Sequence, residues 1–302
     1  MGRIWGIICV LVGATVAACG RSDGHQRAER SPAAAIPGNR TPFLARVDHF
    51  FATSPQAEAQ FNFFRDTLGL AVSWPYKDYG GFASGGLSLG NTVLEFVTWA
   101  VAKGDTLPTE WKSLAFEPVG DTEAALEELR KRRIGHSVPD VNYYRDANGK
   151  EVVGWINTEL TGLTPPDVAF ICDYADRKAI HESRKAGHDE LARRNGGPLG
   201  VIRLKEIVIG VIDIVAASDQ WRRLLSQPEQ ESDGVFSFGD GPAIRLVSAQ
   251  KAGIRTIVIE VHSLATARGF LVGRGLLDIG DGSGVSIAPR AIGGLRISLV
   301  QD

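Results

Sequence analysis

Hydrophobic and polar positions fall into alternating strand and helix periods along most of the chain. Arg46 to Thr53 is a β-branched and aromatic run, which predicts a strand. Pro55 and Gln56 open a helical segment carrying Ala59, Phe63, Phe64 and Leu68, and Gly69 closes it. Leu70 to Trp74, Gly81 to Leu87 and Thr92 to Thr98 then predict three strands, so the order is β-α-β-β-β. Two polar residues interrupt these apolar strands: His49 in the first, and Glu95, between Leu94 and Phe96, in the last. A carboxylate in such a place needs a partner or a metal, because an unpaired buried charge is costly.

The same order recurs. Ser113 to Val119 predicts a strand, Asp121 an N-cap, and Ala124, Ala125, Leu126 and Leu129 a helix ending before Gly135. Ser137 and Val138, Val152 to Leu160 and Val168 to Tyr174 supply strands, with Asn142 to Lys150 read as a turn or hairpin loop. Residues 175–197 break the rhythm. They are charged nearly all round and predict a solvent-facing connecting helix ended by Asn195, Gly196 and Gly197. His181 and His188 share roughly one face of it, as expected of a solvated surface. A third copy starts at Val201, with Ser218 as the cap of a short helix carrying Trp221 and Leu224, then strands at Gly234 to Phe238 and Ala243 to Val247. A fourth runs from Thr256 to Val261, a helix from Leu264 to Val272, and strands at Val285 to Ile287 and Leu295 to Val300.

The stretch from Leu44 to Trp99 resembles one module of the vicinal-oxygen-chelate superfamily, the glyoxalase, bleomycin-resistance and extradiol-dioxygenase group. The resemblance is carried by the β-α-β-β-β order, VDHF at the start, the helix end FRDTLGL and the closing LGNTVLEF. It implies an α+β fold of four βαβββ modules, paired as first with second and third with fourth. The paired-module, glyoxalase-like domains would then span 43–174 and 199–302, joined by a connecting helix at 175–198, and the resemblance weakens toward the fourth copy. In the family, paired modules close a curved sheet around one pocket, with metal ligands from the first and last strands.

His49 and Glu95 stand at two of those ligand positions. The second copy offers Ser113 or Lys112 near the histidine position and Asp173 near the glutamate position. The resemblance thus implies a set of His49, Glu95 and Asp173, with His136 as a further candidate; such donors suit a divalent ion such as Mn²⁺, Fe²⁺ or Zn²⁺. The set departs from the His-His-Glu ligands of extradiol dioxygenases and from the four ligands of glyoxalase I. The third copy has Glu206 and Arg245 at the ligand positions, expected to pair with each other, and the fourth has Thr256 and Ser298. The second domain therefore reads as degenerate. Trp74, Tyr76, Tyr79, Phe82 and Trp99 cluster around the YGGFASGG loop, which fits either a ring-lined ligand pocket or ordinary core beside a tight turn.

The N-terminus changes the setting. Residues 1–19 carry Arg3, an apolar run from Ile4 to Ala18, and the ending Val16-Ala17-Ala18-Cys19. That run is too short to span a bilayer and has the form of an export signal. Its end resembles a bacterial lipobox, in which Cys19 would become the lipidated mature terminus, tethering the protein in the cell envelope, facing periplasm or exterior. Residues 20–42 are rich in Gly, Pro, Ser and charge and read as a flexible tether containing His25. With Cys9 lost and Cys19 lipidated, only Cys172 remains, which excludes an intramolecular disulfide.

A net charge of −2 without a basic, aromatic-studded patch excludes nucleic acid as an expected partner. No P-loop, nucleophile elbow or dinucleotide fingerprint is present. Two classes of function remain: a tethered protein that binds a small, partly aromatic molecule, and a divalent-metal lyase, isomerase or dioxygenase. The sequence leaves the oligomeric state open.

Overall fold

A computed structural model describes residues 41–100, 107–145, 148–226, 234–237, 239–278 and 284–302. The signal at 1–19 with Cys19, and the tether up to residue 40 with His25, lie outside the described residues.

The first half of the chain runs β1 (Leu44–Thr53), α1 (Ala57–Asp66), β2 (Val72–Asp78), β3 (Phe82–Ser88) and β4 (Val93–Trp99). It continues with β5 (Glu110–Pro118), α2 (Thr122–Lys131), β6 (Asp140–Arg145), β7 (Glu151–Glu159) and β8 (Ala169–Tyr174). These strands form one sheet ordered β2-β3-β4-β1-β5-β8-β7-β6. β1 is parallel to β4, β5 is parallel to β8, and β1 meets β5 antiparallel. Each βαβββ run thus returns its last strand to the side of its first, and the two runs join through their first strands.

After α3 (Arg177–Arg193) come β9 (Val201–Val211), α4 (Ile214–Leu225), β10 (Val235–Phe236) and β11 (Ala243–Ser248). β12 (Gly253–Val261), α5 (Leu264–Gly273), β13 (Val285–Ile287) and β14 (Ile297–Val300) follow. They form a second sheet ordered β10-β11-β9-β12-β14-β13, with the same joint: β9 parallel to β11, β12 parallel to β14, β9 antiparallel to β12. Among the described residues each run here has one strand fewer after its helix.

Local chemistry explains most element ends. Asp121 caps α2 by accepting from the Ala124 amide at 2.9 Å. Pro75 lies inside β2, which is tolerated because β2 is an edge strand with no ladder partner on one side. Three expectations differ. The stretch around Asn142 forms strand β6, paired with β7, where a loop was expected, because its exposed edge position requires no apolar alternation. Ser137 and Val138 lie outside any strand. α4 starts earlier than expected: Asp213, not Ser218, is the N-cap, accepting from the Val215 and Ala216 amides, and Ser218 is buried mid-helix.

From Thr41 to Asp302 the described residues pack as one unit. One apolar cluster runs from Phe50, Phe64 and Phe116 of the first half to Ile207, Trp221 and Ile257 of the second. Trp221, fully buried, stands 6.4 Å from Phe116 and 6.4 Å from Phe236, ring centre to ring centre. Arg132 adds a polar joint. Its side chain is buried, donates to the Arg223 and Leu224 carbonyls in the last turn of α4 at 3.1 and 3.2 Å, and also bonds the Thr41 carbonyl at 3.0 Å. A guanidinium on those free carbonyls also sits at the negative end of the helix dipole.

α3 departs most from its sequence pattern. It is no solvated linker but lies against β2, β3 and β8, burying Arg184, Gly187 and Leu191. A Cβ at Gly187 would stand 2.6 Å from Ser73 Oγ and 3.2 Å from its Cα, so the helix needs glycine there to approach β2. Ser183 Oγ donates to the Ser73 carbonyl at 2.6 Å. His188 bonds Ser88 Oγ through Nδ1 at 2.6 Å, and His181 Nε2 reaches Glu117 at 2.8 Å. The two histidines thus pin the helix to the sheet at separate points, Ser88 and Glu117.

Candidate ligand site

α3 covers part of the inner, concave face of the first sheet. Strand register decides which residues line that face. Trp74 pairs with Gly86, Gly86 with Glu95, Glu95 with Phe51, and Phe51 with Ser113, one row across four strands and onto a fifth. Beside it runs His49, Ala115, Phe170 and Glu159. Trp74 lies flat on Gly86, where any Cβ would meet its ring at 2.3 Å.

Charges on the floor are concentrated in few groups. Asp48 is buried and accepts from Arg184 Nη2 at 3.2 Å, Tyr174 Oη at 2.7 Å and His49 Nδ1 at 2.8 Å. Burial alone would raise its carboxyl; the Arg184 guanidinium and the His49 hydrogen bond outweigh that and hold it well below the usual carboxylate range. Because Asp48 is then ionised and can only accept, His49 must donate from Nδ1. Nε2 is left facing Glu95 Oε2 at 3.5 Å. Arg184 lies 4.0 Å above the Trp74 ring. His49 is wedged between the edges of Trp74 and Phe170, at 6.2 and 5.7 Å.

Rings form the rim. Tyr79 and Phe82 stack at 4.9 Å, and Trp155 of β7 meets them edge-on at 6.1 and 6.3 Å. Four strands separate β3 from β7 in the sheet, so these contacts show how tightly the sheet curls. Trp99 is 37% exposed and touches Phe51 at 5.7 Å. Burial, then the Glu95 charge, push the Tyr79 phenol up to about 12, with Arg184 opposing. Trp155, missed in the sequence, shares the concave face because it pairs with Tyr174. A hollow of about 500 Å³, lined by Thr41, Phe43, Gly120 and Glu128, lies away from this face and holds none of its chemistry.

The expected ligand residues do not converge as a set. His49 and Glu95 do, at a spacing two ligands of one ion can have. Asp173 points to the opposite side of the sheet, where its Oδ2 accepts from the Thr122 amide and hydroxyl, each at 2.8 Å, and Oδ1 bonds Arg177. Alternation along β8 puts Cys172 and Tyr174 inward in its place. Ala115 pairs with Phe170 as Phe51 pairs with Glu95, so a phenyl ring occupies the site related to Glu95. Ser113 takes the site related to His49; its hydroxyl is buried without a hydrogen-bond partner. His136 bonds the Ser137 carbonyl instead. Among the described residues, no group of three or more His, Cys, Asp or Glu side chains is placed to hold an ion. With Arg184 beside Asp48 adding positive charge, these residues do not fit the divalent ion implied by the resemblance.

The second sheet keeps its charges on the surface. Arg245 Nε meets Glu206 Oε1 at 2.6 Å with the arginine side chain 45% exposed. The two side chains pair with each other as the sequence suggests, and an exposed pair of this kind contributes about 0–1 kcal/mol. Thr256 donates to the Arg296 carbonyl, and Ser298 lies beside Ser286.

Glu159, at the far end of the concave face, titrates unusually. Burial, then the charge of Asp167, with Lys112 opposing, raise its pKa from 4.5 to about 7. Between those values the folded chain binds more protons than the unfolded one, so stability falls as pH rises through that window. Glu159→Gln is expected to stabilise the protein at pH 8 by about 1–2 kcal/mol, given the solvent that still reaches the group, and to change little at pH 4. Urea unfolding at the two pH values measures this; equal effects at both would refute it.

No protein-family profile and no curated protein sequence matches the chain. Solved structures do. A hypothetical protein from Staphylococcus aureus aligns with a TM-score of 0.57 at 11% identity, over 85% of this chain and 99% of that one. The 2,3-dioxygenase LapB from Pseudomonas aligns at 0.55 and 14%, over 86% and 93%. An extradiol ring-cleaving dioxygenase from B. fuscum aligns at 0.53 and 14%, over 88% and 75%. The chain therefore has the α+β fold of the vicinal-oxygen-chelate type, two curled sheets in sequence. At these identities the likeness is one of fold alone.

Proposed function

We propose that the chain is a binding protein for a small, partly aromatic ligand, held at the ring-lined mouth of the first sheet. The observation that supports this most is the rim. Tyr79, Phe82, Trp99 and Trp155 come from both flanks of the sheet and leave aromatic surface half-exposed above a charged floor. The predicted Trp74 contributes differently: its face is covered by Arg184, so it belongs to the floor. The reading of metal-dependent ring cleavage or isomerisation draws on the fold of the dioxygenases, and the donor set weakens it. A lipid at Cys19 would hold the binding domain at a bacterial envelope membrane, on the tether of residues 20–42.

The test uses the chain from residue 20 onward, titrated with phenylpropanol and read by tryptophan fluorescence. Saturable quenching is expected, and Trp99→Ala should weaken it about tenfold, since one aromatic contact is worth roughly 0.5–1.5 kcal/mol beyond its buried area. Absence of saturable binding would remove this reading.

A further inference from the structure

The carboxylates of Asp48 and Glu95 on the concave floor are unevenly compensated. Asp48 has Arg184, Tyr174 and His49. Glu95, with its side chain only 13% exposed, has one ion-pair contact among the described residues, His49 Nε2 at 3.5 Å. Asp48 and Glu95 thus share this face with one guanidinium, that of Arg184, which Asp48 engages. Glu95 lies among rings: Phe51 and Trp74 share its row across the sheet, and Tyr79 is close enough for the carboxylate to raise its pKa. Going outward along β4 on the same face come Val97 and then Trp99, the most exposed of the rim rings, about 13 Å from Glu95 at strand rise.

A carboxylate at the inner end of an aromatic slot has the chemistry of an ammonium site. Cations are attracted to ring faces, and more strongly where water is excluded. The chain already uses this chemistry twice here: Arg184 lies 4.0 Å over Trp74 beside Asp48, and Lys77 Nζ lies 4.6 Å from the centre of the Tyr79 ring. Glu95 is the acid beside these rings that has no arginine or lysine of its own among the described residues.

We infer that the ligand of this site is an organic cation, an aryl group joined by a short chain to an ammonium, with the ammonium on Glu95 and the aryl group toward Trp99. This rests on the binding role proposed above and specifies its ligand class. An anionic or purely apolar molecule would leave Glu95 uncompensated or add a second negative charge beside it.

The experiment compares phenylpropylamine, phenylpropanol and phenylpropionate, of nearly equal size, against the same protein at neutral pH. The amine is expected to bind about tenfold or more tighter than the alcohol, and the carboxylate more weakly than either. Glu95→Gln should abolish the difference in affinity between the amine and the alcohol. The comparison of the three probes needs no variant, so it stands even where Glu95→Gln folds poorly. Equal affinity of amine and alcohol for the unaltered protein overturns the cation site while leaving aromatic binding intact; failure of all three to bind overturns both.

Discussion

Arg184→Met should destabilise the protein by about 3–5 kcal/mol, the usual result of leaving one member of a buried ion pair alone. The variant keeps the bulk of the side chain but removes the cation from beside Asp48, together with the stacking on Trp74 and the bond to Tyr174. Replacing both charges, Asp48→Asn with Arg184→Met, should recover part of the loss, because no uncompensated carboxylate then remains. The pH dependence follows from the direction of the Asp48 shift. Its folded pKa lies below the unfolded value of about 3.9, so its contribution is complete above that value and is lost as pH falls beneath it. The parent should therefore lose stability steeply below about pH 4, and the double variant should lose less. Chemical unfolding of the three proteins across pH decides the matter. A cost below about 1 kcal/mol for Arg184→Met would mean that the pair is open to water.

Trp221→Ala should cost about 3–5 kcal/mol as well, through lost burial and the cavity left behind. Its distinctive effect is on cooperativity. The ring sits between Phe116 of the first sheet and Phe236 of the second, in an apolar cluster common to both. The parent is expected to unfold in one transition seen alike by near- and far-ultraviolet circular dichroism. In the variant the two sheets should melt at separable temperatures. A single, merely shifted transition in Trp221→Ala would show that Arg132 and the remaining apolar contacts couple the halves without it.

The fold was legible wherever an element buries apolar residues on one face. β1, α1 and β4 carry that signal in Val47, Phe50, Phe61, Phe64 and Phe96, all buried. β6 was not legible, since five of its six residues are exposed or charged and pair through backbone alone. α3 was misread for a related reason. Its inward stripe is Ile180, Arg184, Gly187 and Leu191, flanked by His181 and His188, and with only two large apolar side chains in it a rule seeking apolar periodicity sees a solvated helix. One sign was present: Gly187, which costs about 1 kcal/mol inside a helix and so asks for a close packing partner. His49 and Glu95 could be placed on one face from strand position alone. Asp173 could not, because a shift of one residue along β8 reverses its side, and nothing in Cys172-Asp173-Tyr174 fixes the register.

The position of α3 in the chain also bears on how the protein is made. Synthesis runs from the N-terminus, and Asp48 emerges long before Arg184, with 136 positions between their numbers. Until the helix arrives, the concave face of the first sheet presents an uncompensated acid among Trp74, Phe170 and Tyr174. The eight strands that precede α3 are therefore not a finished folding unit when they leave the ribosome. A fragment ending at Tyr174 should remain partly folded and sticky, whereas one extended through Arg193 carries its own counter-charge and should close.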